Sequence, residues 1–229
     1  MKLNKKIDFQ NVEELSRQLK AGRAFRERFS LEIPVNDCAN GIYAAFKQEV
    51  EYWGGMFTLD PDTKAHIFDA AQWLSNPQGS PGLLLCGLYG NGKTTLAKAI
   101  QRFIGWITEE VLGYSSRKRI RFMKAKEICR LAKANPQEYE KLFSEELLII
   151  DELGEEAKEI MTYGSIETPM VDLISERYDS RLFTIITTNL QTNEIKDKYG
   201  ARIYDRFSEM LTSIVFENDS YRLKKRHLN

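Results

Sequence analysis

Residues 83–94 read LLLCGLYGNGKT: the apolar run Leu83, Leu84, Leu85, Cys86 opens into a stretch with three glycines, a lysine and a threonine. Four apolar residues without alternation suit a strand buried on both faces. Glycines directly after it let the backbone approach a ligand closely. Gly87, Gly92, Lys93 and Thr94 match the pattern G-x-x-x-x-G-K-[ST], a loop whose amides curl round phosphate oxygens while the next helix adds positive potential from its N-terminus. On this pattern Leu88, Tyr89, Gly90, Asn91 and Gly92 line the cradle and Lys93 reaches the β- and γ-phosphates of a nucleotide. The Thr94 hydroxyl would hold Mg2+, and Thr95 lies deeper in the same helix, near the α-phosphate.

The acidic counterpart is LLIIDE, residues 147–152. A buried strand emerging beside the phosphate loop would deliver Asp151 to the Mg2+ shell and aim Glu152 at a water facing the γ-phosphate. A small-molecule kinase excludes water from that place, so Glu152 points to hydrolysis. A third strand, FTIITTN at 183–189, ends in Asn189, which either contacts the γ-phosphate or its attacking water or simply starts a turn.

Outward from these strands, apolar runs at 83–86, 120–123, 147–150, 183–188 and 212–216 alternate with helical patterns at 94–112, 126–143, 165–180 and 201–210. That order predicts a three-layer α/β unit on a mostly parallel sheet. Upstream, amphipathic spacing predicts a helix over Asn11–Phe29, with Pro34 and Asn36-Asp37 as a break. Further helices are expected over Ala39–Val50 and about Asp62–Leu74. The loop SNPQGSPG at 75–82 marks a boundary between a helical region, 1–78, and the α/β unit, 79–229. With 229 residues the chain suits one large domain or one with a small appendage. No apolar run approaches bilayer length, and Asp8 and Gln10 stand where a signal peptide is apolar, so a cytoplasmic location is expected. Cys38, Cys86 and Cys129 form no CxxC pair, so neither a disulfide framework nor a zinc site is suggested, and His66 and His227 are too few for histidine catalysis or metal binding.

The ordered set GLYGNGKTTLAKAI, LLIIDELG, ERYDSRLFTIITTNL, YDRFSEM and ENDSYRLKKR resembles the AAA+ ATPases, in particular the bacterial DnaC/DnaI-type helicase loaders and the related IstB-type transposition helper ATPases. The resemblance spans about residues 80–226. It implies a five-stranded parallel P-loop core without a C-terminal helical lid, ATP and Mg2+ as cofactors, and Asn189 as the γ-phosphate sensor. It also implies an arginine donated to a neighbouring subunit's site: Arg206, with Arg202 one turn earlier as helper or alternative. Arg222 would contact phosphate within its own subunit. Implied partners are a replicative DNA helicase or a transposase, single-stranded DNA, and further copies of the chain in an ATP-dependent oligomer.

Formal net charge is zero, so nucleic-acid affinity must come from a local patch. Residues 117–133 supply one, with Arg117, Lys118, Arg119, Arg121, Lys124 and Lys126 leading it against a single acid, Glu127. Phosphate attraction there would bind single strands without base specificity; the alternation also fits a strand with a solvated basic edge. The N-terminal helices read either as a partner-docking element or as a cap on the sheet. A small-molecule kinase and a nucleotide-gated binder with negligible hydrolysis are the competing classes.

Overall fold

The computed structural model describes residues 11–21, 28–111, 118–162 and 165–221. In chain order the elements are α1 (Val12–Ala21), α2 (Val35–Tyr52), α3 (Pro61–Ser75), β1 (Gly82–Gly87), α4 (Lys93–Glu110), β2 (Arg121–Lys124), α5 (Ala125–Ala134) and α6 (Pro136–Ser144). They continue with β3 (Leu147–Leu153), β4 (Ile160–Thr162), β5 (Ser165–Glu167), α7 (Pro169–Asp179), β6 (Phe183–Thr188), α8 (Thr192–Tyr199), α9 (Ala201–Met210) and β7 (Leu211–Phe216).

The five predicted strands form one sheet in the order β2-β3-β6-β1-β7, every neighbouring pair parallel. Successive side chains on a strand point to opposite faces, and the burial follows that rule. Leu83 and Leu85 join Ile149, Ile185 and Ile214 in one cluster with α2, α3 and α4. Leu84 joins Leu148, Ile150 and Ile186 in a second cluster with α5, α7 and α9. This is why the strands read as unbroken apolar runs.

The regions expected as 1–78 and 79–229 share the first of these clusters, since Leu31, Ile42, Phe46, Trp73 and Leu74 pack with Leu85, Leu96 and Phe103. A Cβ on Gly41 would lie 2.1 Å from the Phe103 ring, so α2 and α4 touch backbone to side chain. SNPQGSPG is the loop between α3 and β1, and the core runs past it.

Several expected boundaries move. The helix expected over Asn11–Phe29 is helical over Val12–Ala21; Phe29 is not helical and packs edge-on against Phe183, centroids 5.5 Å apart. Pro34, expected to break the chain, instead sits at the N-cap of α2 with φ −55°, and Asp37 lies in the first turn, where a carboxylate favours the helix dipole. The single helix expected over 126–143 is two, because Pro136 lacks an N–H and Asn135 caps the second by accepting from Glu138 N at 3.1 Å. Part of the helix expected over 165–180 is strand β5, paired antiparallel with β4, and the helix starts at Pro169. Helix α8 was not expected. No helix among the described residues is long and apolar enough to cross a membrane.

Candidate functional site

Gly87, Gly90 and Gly92 all take positive φ, at 139°, 80° and 103°, and Gly92 is the N-cap of α4. At Gly87 a Cβ would stand 2.3 Å from the Phe216 carbonyl oxygen. The loop therefore needs glycine both for conformation and for space. Lys93 begins α4 and its ammonium turns back into the loop, donating to the carbonyl oxygens of Gly87 and Leu88 at 2.8 and 2.6 Å and to Asn91 Oδ1 at 3.0 Å. Thr94 and Thr95 are half-buried in the first turn of α4. The chain after β7 ties the loop from behind. Asn91 Nδ2 donates to Phe216 O at 3.0 Å, Asn218 Nδ2 to Asn91 O at 3.2 Å, and Tyr221 N to Gly90 O at 3.0 Å. The Tyr221 hydroxyl in turn meets Asp60 and Thr63 at the start of α3, and burial pushes it up to about 12.

Strand order decides how the acids meet this loop. β6 lies between β1 and β3, so its C-terminal end fills the gap between the phosphate loop and the acidic pair. Asp151 is 1% exposed, and its Oδ1 accepts from the hydroxyls of Thr94 at 2.8 Å and Thr187 at 2.7 Å. Thr187 Oγ1 also accepts the Glu152 N–H at 2.9 Å. This threonine, absent from the sequence-based list, joins both acids to β6; its signal was a pair of hydroxyls closing an otherwise apolar run.

Glu152 takes φ 58° where the β3–β6 register shifts between Ile150 and Leu153. A left-handed backbone on a non-glycine residue costs on the order of 1–3 kcal/mol and marks a geometry imposed by its surroundings. Its carboxylate pairs with Lys124 Nζ at 2.9 Å. The hydrogen bond and charge of Glu152 hold the Lys124 ammonium above the usual lysine range. Lys124, read from sequence as a nucleic-acid contact, is thus at the acidic tip. Asn189 follows β6, half-buried, and hydrogen-bonds Tyr89, whose hydroxyl donates to Glu155 Oε1 at 2.7 Å. That bond to Glu155 raises the phenol above its ordinary value. Leu88 and Tyr89 are exposed at the loop tip.

The donor set suits Mg2+ bound with a nucleotide. Among the described residues no group of three or more His, Cys, Asp or Glu is placed to hold a metal. What the site offers is one carboxylate and one hydroxyl, hard oxygens on facing elements, which leaves the remaining positions to phosphate and water as Mg2+ prefers.

The arginines of α9 stand elsewhere. Arg206 is buried, its Nη2 3.4 Å from both carboxylate oxygens of Asp179 and its guanidinium 4.8 Å from the Tyr178 ring centroid. Asp179 lines a surface cleft with Pro81 and Met210, at the N-terminal ends of β1 and β7. Six residues of β1 separate that edge from the phosphate loop, roughly 20 Å at strand rise. Arg206 therefore cannot serve the loop of its own chain. Arg202, one turn earlier, is exposed. Arg222 and Arg117 lie outside the described residues. Of the remaining basic run, Lys118 pairs with Glu146 at 2.8 Å, Arg121 with Glu138 at 3.1 Å and Lys126 with Glu155 at 3.3 Å, while Arg119 is exposed. Among the described residues of the run, Lys118, Arg121, Lys124 and Lys126 are therefore each paired with an acid.

The same architecture recurs in the crystal structure of the DnaC helicase loader, with TM-score 0.54 and 20% identity over 71% of this chain and 94% of that one. It recurs in the crystal structure of DnaI, with TM-score 0.51 and 20% identity over 81% and 95%. It recurs also in AMPPCP-bound DnaA from Aquifex aeolicus, with TM-score 0.50 and 18% identity over 75% and 53%. These likenesses establish the fold, a P-loop AAA+ core. A comparison with curated protein sequences gives no significant match. A family profile, described as IstB-like ATP binding protein, matches residues 44–229 and so takes in α3, the phosphate loop, the acidic tip and α9 together. By that match this chain belongs to the IstB-like ATP-binding family of P-loop AAA+ proteins.

Proposed function

We propose that this protein hydrolyses ATP to ADP and phosphate with Mg2+, and uses the cycle to control assembly of a DNA-handling complex as a loader of a replicative helicase. The observation that carries the reading is the chain of contacts Thr94–Asp151–Thr187–Glu152. It puts a hydroxyl and a carboxylate beside the phosphate loop and a second carboxylate one residue on. The likeness to the DnaC helicase loader supports the partner class. The IstB-like family match supports a second reading, the same switch serving a transposase.

In this reading Lys93 exchanges loop oxygens for phosphate oxygens when ATP arrives, and the amides around Gly90 and Gly92 complete the cradle. Bound Mg2+, held by Thr94 and Asp151, would neutralise charge on the β- and γ-phosphate oxygens. Glu152 orients the attacking water and takes its proton as the water oxygen bonds to the γ-phosphorus and ADP leaves. To do so it must leave Lys124. Asn189 reads the γ-phosphate. The arginine stabilising transition-state charge comes from α9 of a second copy: Arg202 is already exposed, and Arg206 reaches out only by leaving Asp179 and Tyr178. Binding in the loop is thus complete in one chain, whereas fast turnover needs two. Steady-state ATP hydrolysis per subunit is expected to climb with protein concentration and with single-stranded DNA. A rate that is flat in both removes the subunit-to-subunit mechanism. Capture by a purified replicative helicase, against capture by a transposase, separates the two partner readings.

A further inference from the structure

The turn after Glu152 is held by a buried cluster that the reaction does not itself use. Glu156 is 5% exposed. Its Oε2 accepts the Gly154 N–H at 2.9 Å, its Oε1 accepts the Tyr199 hydroxyl, and Lys198 Nζ stands 3.4 Å from Oε1. Lys198 Nζ also donates to the carbonyl oxygens of Gly154 and of Glu156, the latter at 2.6 Å. One ammonium and one phenol thus satisfy the carbonyl oxygens of Gly154 and Glu156 and one carboxylate oxygen of Glu156. The turn has no slack elsewhere. Glu155 N donates to Glu152 O at 3.1 Å, and Gly154, at φ 108°, would put a Cβ 2.7 Å from Leu190, next to Asn189. The strained Glu152 backbone is therefore braced from the side of α8.

Helix α8 leads directly into α9. Lys198 and Tyr199 are its last residues, and Gly200, with φ 87°, is both the end of α8 and the N-cap of α9. The two helices pack on each other. The residues that grip the Glu152 turn are thus four and three positions before Arg202, which is exposed.

We infer that Lys198 and Tyr199 are positioning residues: through Glu156 they set Glu152 for attack on the phosphate, and they tie that setting to α9, so that a subunit docking on α9 corrects the catalytic carboxylate of the chain that donates the arginine. The inference rests on the hydrolytic reading above.

The test pairs nucleotide affinity, measured with a fluorescent ATP analogue, with hydrolysis at saturating ATP over a range of protein concentrations. Wild type, Lys198→Met, Lys198→Arg and the milder Tyr199→Phe are compared. The expected result is affinity within about threefold of wild type, turnover lower by about tenfold or more in Lys198→Met and severalfold in Tyr199→Phe, and most of the loss recovered in Lys198→Arg. The rise of rate per subunit with concentration should flatten in Lys198→Met, which a purely structural brace would not cause. Should Lys198→Met fail to fold, Tyr199→Phe carries the same comparison. Unchanged turnover in folded variants overturns the inference. So does a loss of affinity equal to the loss of turnover, or a reduced rate that keeps the wild-type concentration dependence. Wild type that binds ATP without turning it over refutes the hydrolytic reading instead, an outcome distinct from an active wild type with equally active variants.

Discussion

At the C-terminal ends of the strands, Lys93, Thr94, Asp151, Thr187 and Glu152 are knit by hydrogen bonds of 2.6–3.0 Å within one chain. At the N-terminal ends, Arg206 holds Asp179 at 3.4 Å, rests on Tyr178, and keeps a buried Nη1 that meets no acceptor among the described residues. One edge is a site whose parts already fit each other. The other carries an exposed arginine, Arg202, and a buried one, Arg206, whose Nη1 its own surroundings leave unsatisfied. Burying a guanidinium nitrogen without an acceptor costs free energy, and a phosphate or carboxylate from a second copy would recover it. In the proposed mechanism the contrast separates binding, which one subunit would do alone, from transition-state stabilisation, which would need a second.

Five substitutions can break or sharpen that contrast. Removing the arginine that reaches the neighbour should have the largest effect, on the order of a thousandfold in turnover, with nucleotide affinity kept. Arg202→Ala and Arg206→Ala are measured separately, and mixing the deficient one with Lys93→Ala protein should restore activity, since each supplies what the other lacks. Failure of mixing to rescue either variant would remove the division between the edges. Glu152→Gln should still bind ATP while turnover drops about 10²–10³-fold; normal turnover would deny it the role of base. Lys93→Ala at the C-terminal edge should weaken ATP-analogue binding by about a hundredfold, from the loss of charge-assisted hydrogen bonds worth about 2–3 kcal/mol. Affinity close to wild type in a fluorescence titration would mean the loop does not hold the phosphates. The smallest effect belongs to Thr187→Val, which leaves Asp151 and the Glu152 N–H each short of one partner. A loss of about 1–2 kcal/mol in denaturant unfolding is expected, with turnover down about tenfold and affinity unchanged. An equal fall in affinity would place Thr187 in binding rather than in setting the acids.

The phosphate loop was legible because its chemistry is local: glycine backbone, a lysine ammonium and a threonine hydroxyl lie within eight residues of one another. The five strands were legible because a strand buried on both faces must be apolar throughout. Element ends were harder, since Pro34 and Pro136 each permit a helix start as readily as a stop. The split at Asn135 needs the cap that Asn135 makes, and the antiparallel pairing of β4 with β5 depends on residues that carry no strong period.

The amino-acid sequence by itself determined that Gly87–Thr94 forms a glycine-rich turn from strand into helix, that Asp151 and Glu152 close a buried strand, and that an α/β core surrounds them, because each follows from composition over a short stretch. Tertiary structure decided which residues face each other across that stretch. It put Thr187 between the two acids and set Lys124 beside Glu152. It made α2 and α3 a layer of the core, and it set Arg206 at the far edge of the sheet. The reason is that strand order, with β6 inserted between β1 and β3, is a property of long-range packing. Sequence spacing does not encode which strand lies next to which, and the geometry of the acids follows from that neighbour.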